Sequence, residues 1–387
     1  MFVLLTAALF WIFPCGILAT DGDDFANNLF TDLGPLLTLF GERVAIQYLS
    51  HSTSWLECVL FACAPLGILT AVVSAIRVSG SRWLKAVIGR AREPAAMVEL
   101  ELMSSTSSDV CELWNGVGMV RVVGSPSIAQ LIYQDPSSSA QPENSVSNES
   151  ADRRVYVDTL KTAQERNLVR LISGPGIRNS TKHADVSELP PNIVLNVTGG
   201  TVRGWELILA LIVGLLAQSA VLIYDGWLVY WPNTILDVTP ASNAYPLTAM
   251  GTVGVAVGTF LCAHIIEAST EEEVWDASLT TKQSLQIVWI QRGRVVGDQA
   301  FGSFAIFDPR FRRQIRTSRK ASETTKVKQF TTLCATVLTV GSNALFHRLR
   351  SMHWSASIAQ LLATGLMMTV RALVYRRISM MPKVQSL

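Results

Sequence analysis

The segment Trp205–Tyr224, WELILALIVGLLAQSAVLIY, runs for 20 residues with a single charge, Glu206, beside its start. About 20 apolar residues in a row match the hydrocarbon thickness of a bilayer. A chain in lipid has no water to satisfy its amides, so such a stretch must close its backbone hydrogen bonds internally as a helix. The same reading applies to residues 54–76, 246–266 and 355–375, and to the shorter, threonine-rich 329–346. Composition agrees, because only 16% of the residues are charged, against about 25% in an ordinary soluble domain. The chain is thereby restricted to membrane helices joined by water-exposed segments.

The basic residues set the direction of those helices. Of 32 Lys and Arg, one precedes residue 77, fourteen lie in 77–203, none in 204–266, eleven in 267–328 and six in 329–387. Loops on the cytoplasmic side accumulate Lys and Arg. Segments 77–203 and 267–328 are therefore expected in the cytoplasm, with the acidic segment 20–53 and the loop 225–245 outside. Taking 329–346 and 355–375 as a hairpin strands Arg348 and Arg350 outside. It keeps Arg371, Arg376, Arg377 and Lys383 toward the cytoplasm, with 376–387 as a tail there. The opening run Phe2–Phe13 is too short to span, and Ala19 offers a cleavage position, so 1–19 reads as a signal peptide. Insertion through the secretory pathway, into the plasma membrane or an endomembrane, follows.

The two cytoplasmic segments are long enough together for one domain. Residues 83–103 read as helix interrupted at Pro94, and GMVRVVGSPSIAQLIY as a strand, a turn at Gly124-Ser125-Pro126 and a short helix or strand. Residues 135–150 are a low-complexity linker, and NIVLNVTGG (192–200) alternates like a strand. Residues 285–307 suggest a hairpin with Arg292-Gly293 at or near its turn. The expected fold is an α-helical multi-pass membrane protein of about five spans. It carries a small mixed α+β cytoplasmic domain built from the two loops, its strands joined in one mixed sheet. The pattern N-x-[ST] at Asn148, Asn179 and Asn196 marks glycosylation acceptors only in a lumenal loop. We read these as chance occurrences, since inversion would put fourteen basic residues on the wrong side.

Chemistry is sparse. GVGMVRVVG (116–124) lacks the final glycine of a dinucleotide fingerprint, and GDQAFGSF (297–304) has Ser303 where a P-loop needs Lys. Hairpin turns explain both. The six cysteines and five histidines form no zinc pattern, so neither metal nor cofactor is expected. A net charge of +2 gives no case for nucleic acid. Glu57, Glu206, His264 and Arg371 lie near span ends, where they can snorkel, leaving Gln218 and Asn343 as the polar residues well inside spans.

Two features suggest association. Gly254 and Gly258, continued by Cys262, form a small-residue stripe, as do Ser355, Ala359 and Ala363, and such stripes let helices approach closely. Packing within the bundle is the simpler use of both. In 307–322, Arg310, Arg312, Arg313, Arg316, Arg319 and Lys320 interleave with Phe307, Phe311 and Ile315, a composition suited to anionic lipid. Ser318 and Ser322 beside them are candidate phosphorylation points for an electrostatic switch.

The stretches DLGPLLTLFGERV, APLGILTAVVSAIRVSG, VELELMSSTSSDVCELWNG and VGDQAFGSFAIF resemble an uncharacterised family of multi-pass membrane proteins of filamentous fungi. Some longer members of that family are described as ankyrin-repeat proteins, whereas no ankyrin pattern occurs here. The resemblance implies no activity or site. Together these readings lead to the expectation of a non-enzymatic scaffold or signalling component, whose cytoplasmic domain binds an unknown cytosolic protein. The alternative is a transporter or channel-like protein or subunit.

Overall fold

The computed structural model describes residues 41–52, 54–63, 66–124, 128–135, 160–165, 169–173, 189–197, 204–231, 244–277, 284–307, 314–321, 330–335, 337–338, 341, 354–376 and 382–387. All structural statements concern these residues. The signal peptide, nearly all of the linker, Asn148, Asn179, Arg310, Arg312, Arg313, Ser322 and Asn343 lie outside them.

In chain order the helices are α1 (41–51), α2 (Trp55–Ala62), α3 (Ile68–Ser79), α4 (Arg82–Val87), α5 (Ala95–Leu102), α6 (Leu160–Glu165), α7 (Ile193–Val197), α8 (Gly204–Tyr230), α9 (Ala244–Glu267) and α10 (Trp354–Tyr375). Residues 330–335, 337–338 and 341 are also helical. The strands are β1 (Val110–Trp114), β2 (Met119–Val123), β3 (Ile128–Asp135), β4 (Val169–Ser173), β5 (Thr270–Ala277), β6 (Ser284–Gln291), β7 (Arg294–Val296), β8 (Gln299–Phe301), β9 (Phe304–Phe307), β10 (Gln314–Lys320) and β11 (Lys383–Ser386). The chain divides into a helical unit (1–93, 202–269 and 322–376) and a sheet-containing unit (94–201, 270–321 and 377–387).

In the helical unit, Gly204–Tyr230, Tyr245–Glu267 and Ser355–Tyr375 are long and apolar enough to cross a membrane. Leu207, Leu211, Gly214, Gln218, Val221, Asp225 and Leu228 recur at alternating steps of four and three, which sets them on one face of α8. Six of the seven are buried, while Ile208, Leu209, Ile212, Leu215, Leu216 and Ile223 on the other faces are exposed. An outward apolar face of this kind suits lipid rather than water. α8 and α10 run antiparallel: Glu206 meets Arg376 at 3.4 Å, and Leu228 and Val229 pack with Ala356 at the opposite end.

Residues 54–76 do not form one helix. α2 ends at Ala62 and α3 starts only at Ile68. The sequence explains the break, because Pro65 has no N–H to donate into a continuing helix. Gly67 supports it with φ +77°, a left-handed value that side chains disfavour. A Cβ on Gly67 would also fall 2.7 Å from Ala45 Cβ on α1.

The sheet-containing unit is antiparallel throughout its described pairs, so the expected single mixed sheet is replaced by separate antiparallel ones. Their orders are β11-β9-β6-β3, β10-β5-β4, β1-β2 and β7-β8. Strands from 77–203 and 267–328 do pair, β3 with β6 and β4 with β5, and β11 adds a third segment. The buried indoles Trp275 and Trp289 centre two apolar clusters, one with Leu160, Val169 and Ile315, the other with Trp114, Ile193 and Ile306.

Candidate functional site

The chemically richest place in the helical unit is the end of α2. The last turn of any helix leaves carbonyls without intrahelical partners, and in lipid each unsatisfied group costs several kcal/mol. Two neighbouring helices supply the missing donors. Arg371 on α10 donates through Nη2 to Leu60 O at 3.3 Å and to Phe61 O, and Gln218 on α8 donates to Cys63 O at 2.7 Å. The guanidinium also lies 5.2 Å from the Tyr48 ring centroid and 4.8 Å from that of Phe61. Aromatic faces attract a cation and exclude water from it.

Around this cation the polar groups interlock. The Tyr48 hydroxyl donates to Glu57 O at 2.8 Å, and the Glu57 carboxylate accepts from the Ser54 amide at 3.2 Å, capping the start of α2. The Tyr375 ring packs against Tyr48 at a tilt of 55°, with centroids 4.7 Å apart. Arg371 is only 3% exposed and Glu57 4%. Both are therefore buried rather than snorkelling at span ends, and so is Glu206. His264 is the half-exposed member of that group, its Nδ1 3.0 Å from the Glu267 carboxylate. Asp225 was assigned to the outside loop by the sequence reading. Instead α8 continues through it, and it is 2% exposed, its Oδ1 without a hydrogen-bond partner among the described residues. Its place in the four-three repeat of α8 is the signal that could have found it.

The small-residue stripes pack within the chain. A Cβ on Gly254 would lie 3.2 Å from Gly341 Cα, and one on Gly258 2.6 Å from Leu338 Cα. On α10, Ala363 is buried, while Ser355 and Ala359 are half-buried.

In the sheet-containing unit, α7 occupies the part of 192–200 read from sequence as a strand. Asn196 within it and Asn192 just before it serve the free edge of β10. Asn196 Oδ1 accepts from the Arg316 amide at 2.8 Å while its Nδ2 donates to Arg316 O at 2.8 Å, and Asn192 Oδ1 accepts from the Ser318 amide at 2.9 Å. The spacing accounts for the match. Positions i and i+4 of a helix are about 6 Å apart along its axis, and i and i+2 of a strand about 6.6 Å. Nδ2 of Asn196, the atom a glycan would occupy, also donates to Asn192 O, and the residue is buried.

Beneath α7, the Glu112 carboxylate accepts from the Val194 amide at 2.7 Å and pairs with Arg121 at 3.6 Å. Burial raises the Glu112 pKa above its ordinary value, against the opposing pull of Arg121 and the Val194 and Ile193 amides. Burial likewise lowers the Arg319 pKa, which Glu273, Glu112 and Glu99 counteract.

This arrangement redirects the proposed lipid-contact residues. Arg316, Arg319 and Lys320 lie in β10, which pairs along its length with the acidic strand β5. Arg319 turns inward, donating to Thr106 O at 3.2 Å and Pro190 O at 3.0 Å. Ser318 is fully buried and meets the Ser104 hydroxyl at 3.0 Å, which removes it as a reachable phosphorylation point. GDQAFGSF, as expected, makes a hairpin turn: Val296 pairs with Gln299 around Gly297-Asp298, with Gly297 at φ +60°. The turn is thus five residues beyond the one expected at or near Arg292-Gly293, where the chain passes from β6 to β7.

Compared with known proteins, the chain matches no family model, no curated protein and no solved structure.

Proposed function

We propose that this protein is a multi-pass membrane scaffold or signalling component, non-enzymatic, whose sheet-containing unit binds a protein partner on one side of the bilayer. The observation that carries the reading is the pairing of three chain segments, separated by candidate spans, into one folded unit. Strands hydrogen-bonded to one another lie on the same side of a membrane. Between them the chain must cross the bilayer an even number of times. α8 and α9 make the first excursion. α10 makes one crossing of the second, and 329–346 is the candidate for the other, which supports the expected hairpin. The excess of basic residues in these segments favours the cytoplasm, and a unit tied to the ends of several helices is suited to relay a change at one of them.

Proximity labelling tests the reading, comparing wild type with Ile306→Asp, which puts a charge into the buried β9 face. With membrane insertion intact, loss of specific neighbours in the variant supports a partner-binding unit. Unchanged neighbours would remove it.

A second reading, a transporter or channel-like protein, is favoured by the broken α2–α3 segment with Arg371, Glu57 and Gln218 around it, since ionisable groups and broken helices within membranes often mark transport paths. Reconstituted flux that disappears in Gln218→Leu would replace the scaffold proposal with this one.

A further inference from the structure

α2 and α3 are short for membrane helices. Their 8 and 12 residues reach about 12 Å and about 18 Å, against a hydrocarbon core about 30 Å thick. End to end they would cross it, but their contacts run in opposite directions. The long helices give the scale of depth. α8 begins where α10 ends, at the Glu206–Arg376 pair. Tyr230 packs against Tyr245 with ring centroids 5.5 Å apart, so α9 starts at the far end of α8 and returns to the near side. α2 starts on that near side, where Tyr48 donates to Glu57 O and packs against Tyr375, the last residue of α10. Leu60 O meets Arg371, one turn deeper in α10. At Cys63 the chain has reached the middle of both neighbours: a Cβ on Gly214 would lie 3.0 Å from Cys63 Cβ and 2.8 Å from Met367 Cε. Gly214 is ten residues into α8, about 15 Å from its start. α3 then runs back. The helical residues near 330–341 lie antiparallel to α9, with Gly341 facing Gly254 and Leu338 facing Gly258. Lower numbers in that segment are therefore nearer the end of α9, on the near side. Ile76 packs with Ala335, and Ser79 meets Thr331 at 2.6 Å.

We propose that residues 54–76 are a re-entrant helical hairpin, which enters and leaves the bilayer on the side where α8 begins and α10 ends. Irregular backbone at membrane depth needs partners from the protein, because lipid offers none. The tip has them. Gln218 donates to Cys63 O at 2.7 Å, and Arg371 donates to Leu60 O at 3.3 Å. The reversal is written into the sequence, since Pro65 cannot extend α2 and Gly67 takes a left-handed φ. Beyond α3, Arg77 pairs with Glu93 at 2.8 Å, with both side chains nearly buried, which ties the chain after Gly80 to the returning end of the hairpin. The topology changes as a result. Charge counting put residues 20–53 outside by treating 54–76 as a crossing, whereas a hairpin puts Ser50 and Ser54 on the same side as Arg77 and Arg90. Gln218, polar and well inside a span, acquires the task of holding the tip. The inference rests on the membrane reading alone and stands whether or not the sheet-containing unit binds a partner.

The test introduces single cysteines into the full chain and treats sealed membrane vesicles with a membrane-impermeant maleimide, before and after permeabilisation. Labelling is counted above that of the parent chain. Arg376→Cys marks the near side and Trp231→Cys the far side, both at exposed positions. Ser50→Cys precedes the hairpin, and Arg90→Cys, at a side chain 54% exposed, follows it. The expected result is that Ser50→Cys and Arg90→Cys both label with Arg376→Cys, and Trp231→Cys labels from the opposite side. Ser50→Cys labelling with Trp231→Cys, while Arg90→Cys labels with Arg376→Cys, makes 54–76 a crossing and overturns the inference. If Ser50→Cys is reached from neither side, an epitope inserted after Thr53 decides by antibody access to the same vesicles. Access from the Arg376 side supports the hairpin, and access from the Trp231 side overturns it.

Discussion

Asn196→Ala isolates one half of the clamp that α7 places on β10. The substitution deletes the acceptor for the Arg316 amide and the donor to Arg316 O. It leaves Asn192 on the Ser318 amide untouched. Each backbone group left unsatisfied in a mostly buried place costs about 1–3 kcal/mol, so two together cost about 3 kcal/mol at the low to central estimate. At about 1.4 kcal/mol per factor of ten, local opening at Arg316 becomes roughly 100-fold more frequent. Hydrogen–deuterium exchange on the full chain reads this directly: the Arg316 amide accelerates about 100-fold, while Ser318 changes little. Asn192→Ala gives the converse pattern. Thr198→Ala destroys the glycosylation pattern at Asn196 without touching its side chain, and is expected to leave exchange unchanged. An Arg316 amide that stays within about threefold of wild type in Asn196→Ala would refute the edge-clamp reasoning.

Three further outcomes are expected. Arg371→Met leaves the Leu60 and Phe61 carbonyls without their donor at the end of α2, at about 2 kcal/mol each. Heat-induced aggregation in detergent should start at lower temperature, with Arg371→Lys intermediate; a methionine variant as heat-resistant as wild type would show the carbonyls to be otherwise satisfied. Gly258→Leu has no room, since even a Cβ there would come within 2.6 Å of Leu338 Cα and Cβ; overpacking of this kind is expected to lower the onset of heat-induced aggregation in detergent, and an unchanged onset would show that the crossing can open without loss. For Glu112, the folded state holds the proton more tightly than the unfolded state, so its contribution favours folding at low pH. That contribution is lost as pH rises from the ordinary carboxylate range through the raised folded value. Glu112→Gln should flatten this part of the pH dependence of protease resistance in the sheet-containing unit, and an unaltered profile would assign the titration elsewhere.

Much of the helical architecture was legible because length and hydropathy fix a membrane helix almost by themselves. The blocks 205–224, 246–266 and 355–375 correspond to α8, α9 and α10. Hydropathy is blind to where a helix stops inside an apolar block, and so 54–76 read as continuous although Pro65 and Gly67 stood in it. The same blindness ended α8 one residue before Asp225. In the sheets, β2, β6 and β9 were readable from alternation and turn residues, but β1, β4, β5, β10 and β11 were not, and neither were partners, since pairing joins residues far apart in sequence. The basic character of 314–320 suggested lipid only because its complement, Glu271-Glu272-Glu273 on β5, could not be seen beside it. α7 misled for a local reason. Ile193, Val194 and Val197 favour strand geometry, and a five-residue helix is held by what Asn196, the preceding Asn192 and Glu112 bind rather than by propensity. Arg371 was visible as a charge in an apolar run, but its role depends on carbonyls more than 300 residues earlier.

The three-segment sheet also orders events during synthesis. β3 cannot find β6 until about 150 further residues have been made, which at roughly 5–20 residues per second takes roughly 8–30 s. In that interval α8 and α9 are made, while an unpaired strand waits with its edge open. β11 emerges later still, after α10, and contributes Val384 to the cluster around Trp289 and Ile306. The sheet-containing unit is therefore complete only when every element from α8 through α10 has been made. Completion of this unit thus reports that the chain has been made through β11, which no earlier pairing can do.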